Sequence, residues 1–350
     1  MKNITIFMFI LFTASTVVFS QNEGDMSFKG EKRLKNIRML TDRGENAEAY
    51  YSFDYKKLSF QARFDGMGCD QIFTMNIDGS DKKMVSNGEG RTTCAYYLPG
   101  DSTIIYASTY LASPDCPKPP DFSKGYVWKL YDEFELFISN ADGSNIRQIT
   151  DNNAYDAEAT VSPLGDKIVF TSMRDGDPEI YVMDIDGSNQ KRLTYEKGYD
   201  GGAFFSADGS KIVFRASRPT TEQELKDYDD LVKEKLVRPG TLEIYVMDAD
   251  GGNIQQVTNF GKASFAPYFH PDGKRIIFCS NIMSKDPRNF DLYLINVDGT
   301  GLEQVTFNET FDGFPMFSKD GKQLVFASNR FNKNKGDTNV FIADWVDDTE

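Results

Sequence analysis

Asp156-Ala157-Glu158-Ala159, then Ser162-Pro163-Leu164-Gly165-Asp166-Lys167-Ile168-Val169-Phe170, then Glu179-Ile180-Tyr181-Val182-Met183-Asp184-Ile185-Asp186-Gly187-Ser188-Asn189, then Arg192-Leu193-Thr194: this stretch decides the fold, because the chain writes it six times. An aromatic ends the second apolar run of every unit, at Phe60, Tyr106, Phe170, Phe214, Phe278 and Phe326. Repeats at roughly 40–50 residues, each with several short strands, are the mark of a propeller or similar array. Asp-Gly turns such as Asp208-Gly209, Asp272-Gly273 and Asp320-Gly321 precede these runs. Asp and Gly tolerate the positive φ of a tight hairpin, so the flanking runs read as antiparallel strands. A third run follows, for example Ile244-Tyr245-Val246-Met247, then a second Asp-Gly turn and a short strand closing on Thr150, Thr194, Thr258 or Thr306. Four antiparallel strands in each of six units give an all-β, six-bladed propeller.

The sixth unit lacks its last strand after Trp345-Val346, whereas Asn36-Ile37-Arg38-Met39-Leu40-Thr41 near the other end reads like Asn145-Ile146-Arg147-Gln148-Ile149-Thr150. The N-terminal strand is therefore expected to complete the last blade, which removes two open sheet edges. Residues 34–347 then form one domain, with 348–350 as a tail.

Met1-Lys2-Asn3, the apolar stretch Ile4 to Phe12, and Val18-Phe19-Ser20 before Gln21 have the layout of a signal peptide, with cleavage expected after Ser20 and export to the periplasm or beyond. Residues 21–33 read as a polar, flexible lead-in. No later run reaches the ~20 apolar residues of a membrane helix, so stable membrane insertion is not expected. The formal charge of -14 disfavours nucleic acid and anionic membranes as partners. Export permits a disulfide. Cys279 follows a second-strand aromatic and reads as a buried thiol, while Cys69, Cys94 and Cys116 map to one face. A Cys94–Cys116 bridge would pin an insertion to the channel rim, and Cys69 could replace either partner.

The run Ser172-Met173-Arg174-Asp175-Gly176-Asp177-Pro178-Glu179 through Arg192-Leu193-Thr194 closely resembles the repeats of TolB-like, PD40-type propellers, over roughly residues 34–346. The resemblance implies the propeller fold. TolB itself carries a further N-terminal α/β domain, which has no counterpart in this sequence. The role implied by TolB is docking to envelope proteins of the Tol–Pal system. Related propellers are joined to serine-peptidase domains or act as oligogalacturonate lyases.

The single histidine, His270, occupies the turn slot held by Ser162, Ser206 and Ser318. A Ser-His-Asp arrangement requires a histidine and would have to use this turn residue, and a histidine-rich metal site cannot be built from one histidine. The Asp184–Asn189 turn resembles the start of a calcium loop, but the twelfth position is Tyr195 and not the Glu an EF-hand needs. No catalytic residue, metal or cofactor is assigned. Equivalent positions of successive blades surround the channel, so Asp156, Asp200 and Asp312, with Glu158 and Glu48, are placed at its mouth as a polar ligand site. The competing reading makes them turn caps bonding backbone amides.

Two insertions depart from the repeat. Residues 107–134 of blade two hold Phe122, Tyr126, Trp128 and Tyr131, aromatics suited to a binding surface. Residues 215–242 of blade four hold Thr221 and Glu224 in capping-box spacing, then Leu225, Tyr228, Leu231, Val232, Lys235 and Leu236 at helical spacing, which predicts a helix over about 222–236. The expectation is a monomeric, exported, non-catalytic propeller that binds an envelope protein or peptide on the face carrying both insertions. The alternative is a glycoside hydrolase or lyase that binds carbohydrate and works with the channel-mouth carboxylates.

Overall fold

The computed structural model describes residues 26–64 and 66–347; the expected signal peptide and the 348–350 tail lie outside them. Six four-stranded sheets follow in chain order. Blade three shows the pattern: Asp156–Val161, Lys167–Ser172, Glu179–Asp184 and the two-residue strand Lys191–Arg192, all antiparallel. In blade six, Asp312–Phe317, Gln323–Ser328 and Asn339–Trp345 are completed by Leu34–Met39 from the N-terminus. Leu34 pairs with Trp345 and Met39 with Phe341, which closes the ring.

A second repeated contact explains the closing threonines. The first residue of each third strand is polar and buried, and in five of the six blades it meets a hydroxyl at the end of its blade, whereas Asp291 of blade five takes Gln304 instead. Thr194 donates to Glu179, Thr150 to Glu135 and Thr258 to Glu243, and each threonine oxygen accepts the next backbone N–H of the third strand. Blade one uses Ser86 with Gln71. In blade six, Thr41 donates to Asn339 at 3.0 Å and accepts from the Val340 N–H at 2.9 Å. The joint where the two chain ends meet is thus made with the same polar lock as the continuous blades.

Blade-to-blade packing buries the apolar runs: Ile168, Val169 and Phe170 are all fully buried, as are Ile276, Ile277 and Phe278. Residues 28–33, expected as flexible lead-in, pack instead over the end of blade six's second strand and the connection that enters the blade. Glu31 bonds the buried Arg330 guanidinium and Phe28 stacks on Phe331 at 5.4 Å. Buried charge needs a partner, and Arg330 finds one in Glu31 and another in Asp312.

The insertions meet each other. The helix runs Glu222–Lys233 with the Thr221/Glu224 capping box formed. Trp128–Lys129 of the blade-two insertion pairs antiparallel with Leu236–Val237 of the blade-four insertion. Val127, Leu231 and Leu236 form a small apolar core beneath this ribbon. The Tyr228 hydroxyl reaches Asp177 of blade three, so the helix is fixed to the propeller as well.

The disulfide joins Cys69 to Cys116, which corrects the expected Cys94–Cys116 pairing. Cys94 lies on the inner strand Thr92–Tyr97, at φ 55, and its side chain lines the channel. Cys69 lies in the blade-one loop before Gln71–Asn76, within reach of the insertion, at a Cα–Cα distance of 5.8 Å.

Candidate functional site

Three of the five expected acids do not line the mouth. Asp156, Asp200 and Asp312 are fully buried, and each meets an arginine eighteen residues on: Arg174 at 2.7 Å, Arg218 at 2.6 Å and Arg330 at 2.9 Å. The arginine stands just beyond the second strand of the same blade. In the other three blades both partners are exchanged together, to Asn46 and Phe64, Thr92 and Tyr110, Ser264 and Ile282. Acid and base come and go as a pair, so the pair ties the start of the first strand to the end of the second. The backbone-amide caps of the competing reading are replaced by guanidinium contacts.

The channel ring sits two residues further along. Every inner strand skips register once, as between Ala157 and Thr160, where two residues face one. A bulge re-aims a side chain. The bulged residues Glu48, Cys94, Glu158, Gly202, Ala266 and Phe314 all have φ between 50° and 59°. Together they line a cavity of about 30 Å³ at the narrowest point. Because all six blades carry this conformation, its strain belongs to the architecture. The chemistry at the position differs in nearly every blade.

Glu158 and Glu48, the two expected site residues that do reach the channel, have different environments. Glu158 accepts from Arg215, from Thr171 Oγ1 at 2.8 Å, from Tyr199 at 3.2 Å and from the Gly202 N–H at 3.0 Å. Burial opposes the Arg215 charge, but Glu158 and Tyr199 more than offset it and hold the guanidinium above its usual range. Arg215 reaches across blade four only because residue 202 is glycine: a Cβ there would lie 1.9 Å from Arg215 Nη1. Glu48 accepts from Tyr50 at 3.3 Å and from the Cys94 thiol, and has no ion-pair partner among the described residues. Burial, with Glu158 adding to it, pushes its carboxyl up to about 7. Burial and the same two carboxylates keep Cys94 a thiol.

Above the ring, on the insertion face, the channel widens into a depression of about 500 Å³. Its walls are aromatic. Trp128 meets Tyr199 at 6.1 Å and Phe265 at 6.3 Å, and Arg215 stacks over Trp128 at 5.3 Å. Phe265 continues to Phe314 at 5.9 Å. Below the ring, Tyr50, Phe204 and Tyr268 meet edge to face at 5.4 Å and cross the channel, so the depression has a floor.

The four insertion aromatics separate. Trp128 and Tyr126 line the depression, with Trp128 Nε1 donating to the Tyr126 hydroxyl at 3.2 Å. Tyr131 lines it too, but is buried, its hydroxyl spent on the Lys118 carbonyl at 2.6 Å. Phe122 is exposed on a short 3-10 turn away from the depression. Arg215, Tyr199 and Phe265 escaped the sequence reading. Arg215 was legible as the one charged residue at a second-strand position filled elsewhere by Gln61, Ala107, Thr171, Cys279 and Ala327.

His270 keeps to the turn: Nδ1 accepts from the Asp272 N–H at 3.2 Å, and the ring packs on Phe317 at 4.6 Å. The Asp184–Asn189 turn is closed by its own side chains, with Ser188 bonding Asp186 and Asn189 bonding Asp184. No group of three or more potential metal ligands occurs among the described residues. None of their helices is long and apolar enough to cross a membrane.

Geometry thus defines a class: a closed six-bladed propeller with a floored, aromatic-walled mouth roofed on one side by two paired insertions. The PD40 model, the TolB beta propeller domain, matches residues 120–236 and 231–347, and the chain belongs to this TolB-type propeller family. Among solved structures, the putative TolB of Agrobacterium tumefaciens superposes with a TM-score of 0.57 at 19% identity, over 88% of this chain and 94% of that one. TolB from Acinetobacter baumannii gives 0.55 at 18% identity, over 88% and 65%. An oligogalacturonate lyase from Vibrio parahaemolyticus gives 0.50 at 13% identity, over 88% and 93%. At these identities the likeness is one of fold. No curated protein matches the chain.

Proposed function

We propose that this is an exported, non-catalytic TolB-like propeller that binds a protein or peptide partner in the mouth on the insertion face. One observation carries the reading: the two insertions, the largest departures from the repeat, pair with each other through Trp128–Lys129 and Leu236–Val237 at the rim of the depression. A loop that packs only on its own blade needs no such partner. The rim is further held by Lys129 Nζ on the Glu234 carbonyl at 2.6 Å and by the Cys69–Cys116 bridge. A preformed aromatic pocket is the usual anchor site of an interface.

Catalysis on carbohydrate is less favoured. Three of the five expected acids are spent on arginines, and Glu158 already accepts four hydrogen bonds.

A random peptide library panned on the intact protein, with affinities then measured on Trp128→Ala, tests the proposal. Loss of a central tryptophan contact is expected to weaken selected peptides by about thirtyfold or more. Equal affinity for both proteins, or cleavage of an oligosaccharide abolished by Glu158→Gln, would refute it.

A further inference from the structure

The mouth carries four acids and three bases on its lining, and most are already matched. Glu158 meets Arg215, Asp70 meets Arg91 at 3.5 Å, and Glu45 meets Arg63 on its outer side. Lys129 is held by a backbone carbonyl. Glu48 is the carboxylate left over. It lies at the bottom of the depression and lines both the outer space and the narrow ring cavity. Its two hydrogen bonds come from neutral donors, a phenol and a thiol.

A carboxylate withdrawn from water without a cation is costly, and the protein meets that cost by shifting Glu48 toward its neutral form. A cation delivered from outside would restore the charged form. The approach to Glu48 is walled by Trp128, Phe265 and Phe314. Aromatic faces attract a desolvated cation and also pack the methylenes that lead to it. Size then selects among cations. The ring cavity, about 30 Å³, is narrow beside the depression of about 500 Å³ that leads to it. An ammonium on its methylene stem is the compact point charge that suits a narrow end, whereas a guanidinium is a wider planar fork.

We propose that the channel floor is a lysine subsite: the partner inserts a lysine side chain along the aromatic wall and places its ammonium on Glu48. The inference rests on the peptide-binding reading and specifies the chemistry of the occupant. Arg215 is neutralised by Glu158 and sits against Trp128, so it orders the wall instead of competing for Glu48. The groups facing Glu48 are Tyr50 from its own strand, Cys94 from blade two, Glu158 from blade three and Arg215 from blade four.

The test uses three small probes on the intact protein: N-acetyl-lysine amide, N-acetyl-norleucine amide and N-acetyl-arginine amide. Norleucine keeps the methylenes and lacks the ammonium. Binding is read by calorimetry and by the tryptophan emission of the intact protein. The lysine probe is expected to saturate with an affinity at least about tenfold above the other two, because a charge-assisted hydrogen bond is the difference. Glu48→Gln is expected to erase that preference, with its fold verified by circular dichroism and its unfolding midpoint. Affinity of the intact protein should also fall about tenfold from pH 8 to pH 6, as the cation binds only the ionised carboxyl. Equal binding of lysine and norleucine probes, no saturation by the lysine probe, or an unchanged preference in Glu48→Gln overturns the proposal. Library peptides without lysine that need Trp128 but ignore Glu48→Gln would overturn the lysine subsite and leave the peptide-binding reading standing.

Discussion

Replacing Arg174 by the isoleucine that blade five carries at the same position should be far more harmful alone than in company. Asp156 is fully buried; its Oδ2 accepts from Arg174 Nη2 and from Asn152 Nδ2, both at 2.7 Å, and its Oδ1 has no partner. Arg174→Ile therefore leaves a buried carboxylate on a single neutral donor. Breaking a buried pair from one side costs about 3–5 kcal/mol. The Arg174 side chain is 23% exposed, so the lower end, about 3 kcal/mol, applies. Asp156→Ser alone strands only an arginine that can turn to water, at about 1 kcal/mol. The double variant copies blade five, where Ser264 Oγ bonds Ser280 Oγ at 3.0 Å. Ser172 pairs with residue 156 as Ser280 pairs with Ser264, so the new serine has its partner in place. The double variant should then cost about 1–2 kcal/mol, which gives a coupling of about 2–3 kcal/mol. Urea unfolding of the four proteins, with the disulfide intact and both fluorescence and circular dichroism followed, measures the cycle. Additive single effects would refute the argument that acid and base act as one structural unit, and would return Asp156 to the set of candidate ligand residues.

Three further outcomes follow from the same geometry. Glu48 has a folded-state carboxyl raised to about 7, so the folded protein holds its proton more tightly than the unfolded chain, and stability declines as pH rises from the unfolded value through 7. Glu48→Gln should therefore stabilise the protein by about 1–3 kcal/mol at pH 8 and by nothing near pH 4, measured by denaturation at both pH values; a constant difference across that range would contradict it. Reduction, or Cys69→Ser, opens a loop with a sequence separation of 47 and removes about 4 kcal/mol of chain-entropy stabilisation, whereas Cys94→Ala should leave peptide mapping with an intact Cys69–Cys116 link. Thr41→Val removes both contacts of the closing lock, so about 1–3 kcal/mol should be lost. The loss should appear first as faster hydrogen exchange in Leu34–Met39; uniform acceleration over all blades would argue against a local joint.

Periodicity made the architecture legible. Six copies of one strand–turn grammar give six sheets, since Asp-Gly turns and short apolar runs act over a few residues. The match of Asn36–Thr41 to Asn145–Thr150 placed the N-terminal strand in blade six for the same reason: one copy of a repeated unit must sit where its equivalents sit. The helix of the blade-four insertion was readable from its cap and spacing. All of these are local signals.

What escaped the sequence acts through space. The residue that faces the channel is the bulged Glu158, two positions beyond Asp156, whose carboxylate is buried on Arg174. Whether Cys116 meets Cys69 or Cys94 depends on where each side chain points, and the positive φ of Cys94 turns it into the channel. Nor does any local pattern show that residues 128–129 and 236–237, over a hundred positions apart, form one ribbon. The repeats by themselves determined the ring; only the folding of that ring decided which side chains share its mouth, because a site assembled from several blades has no period along the chain.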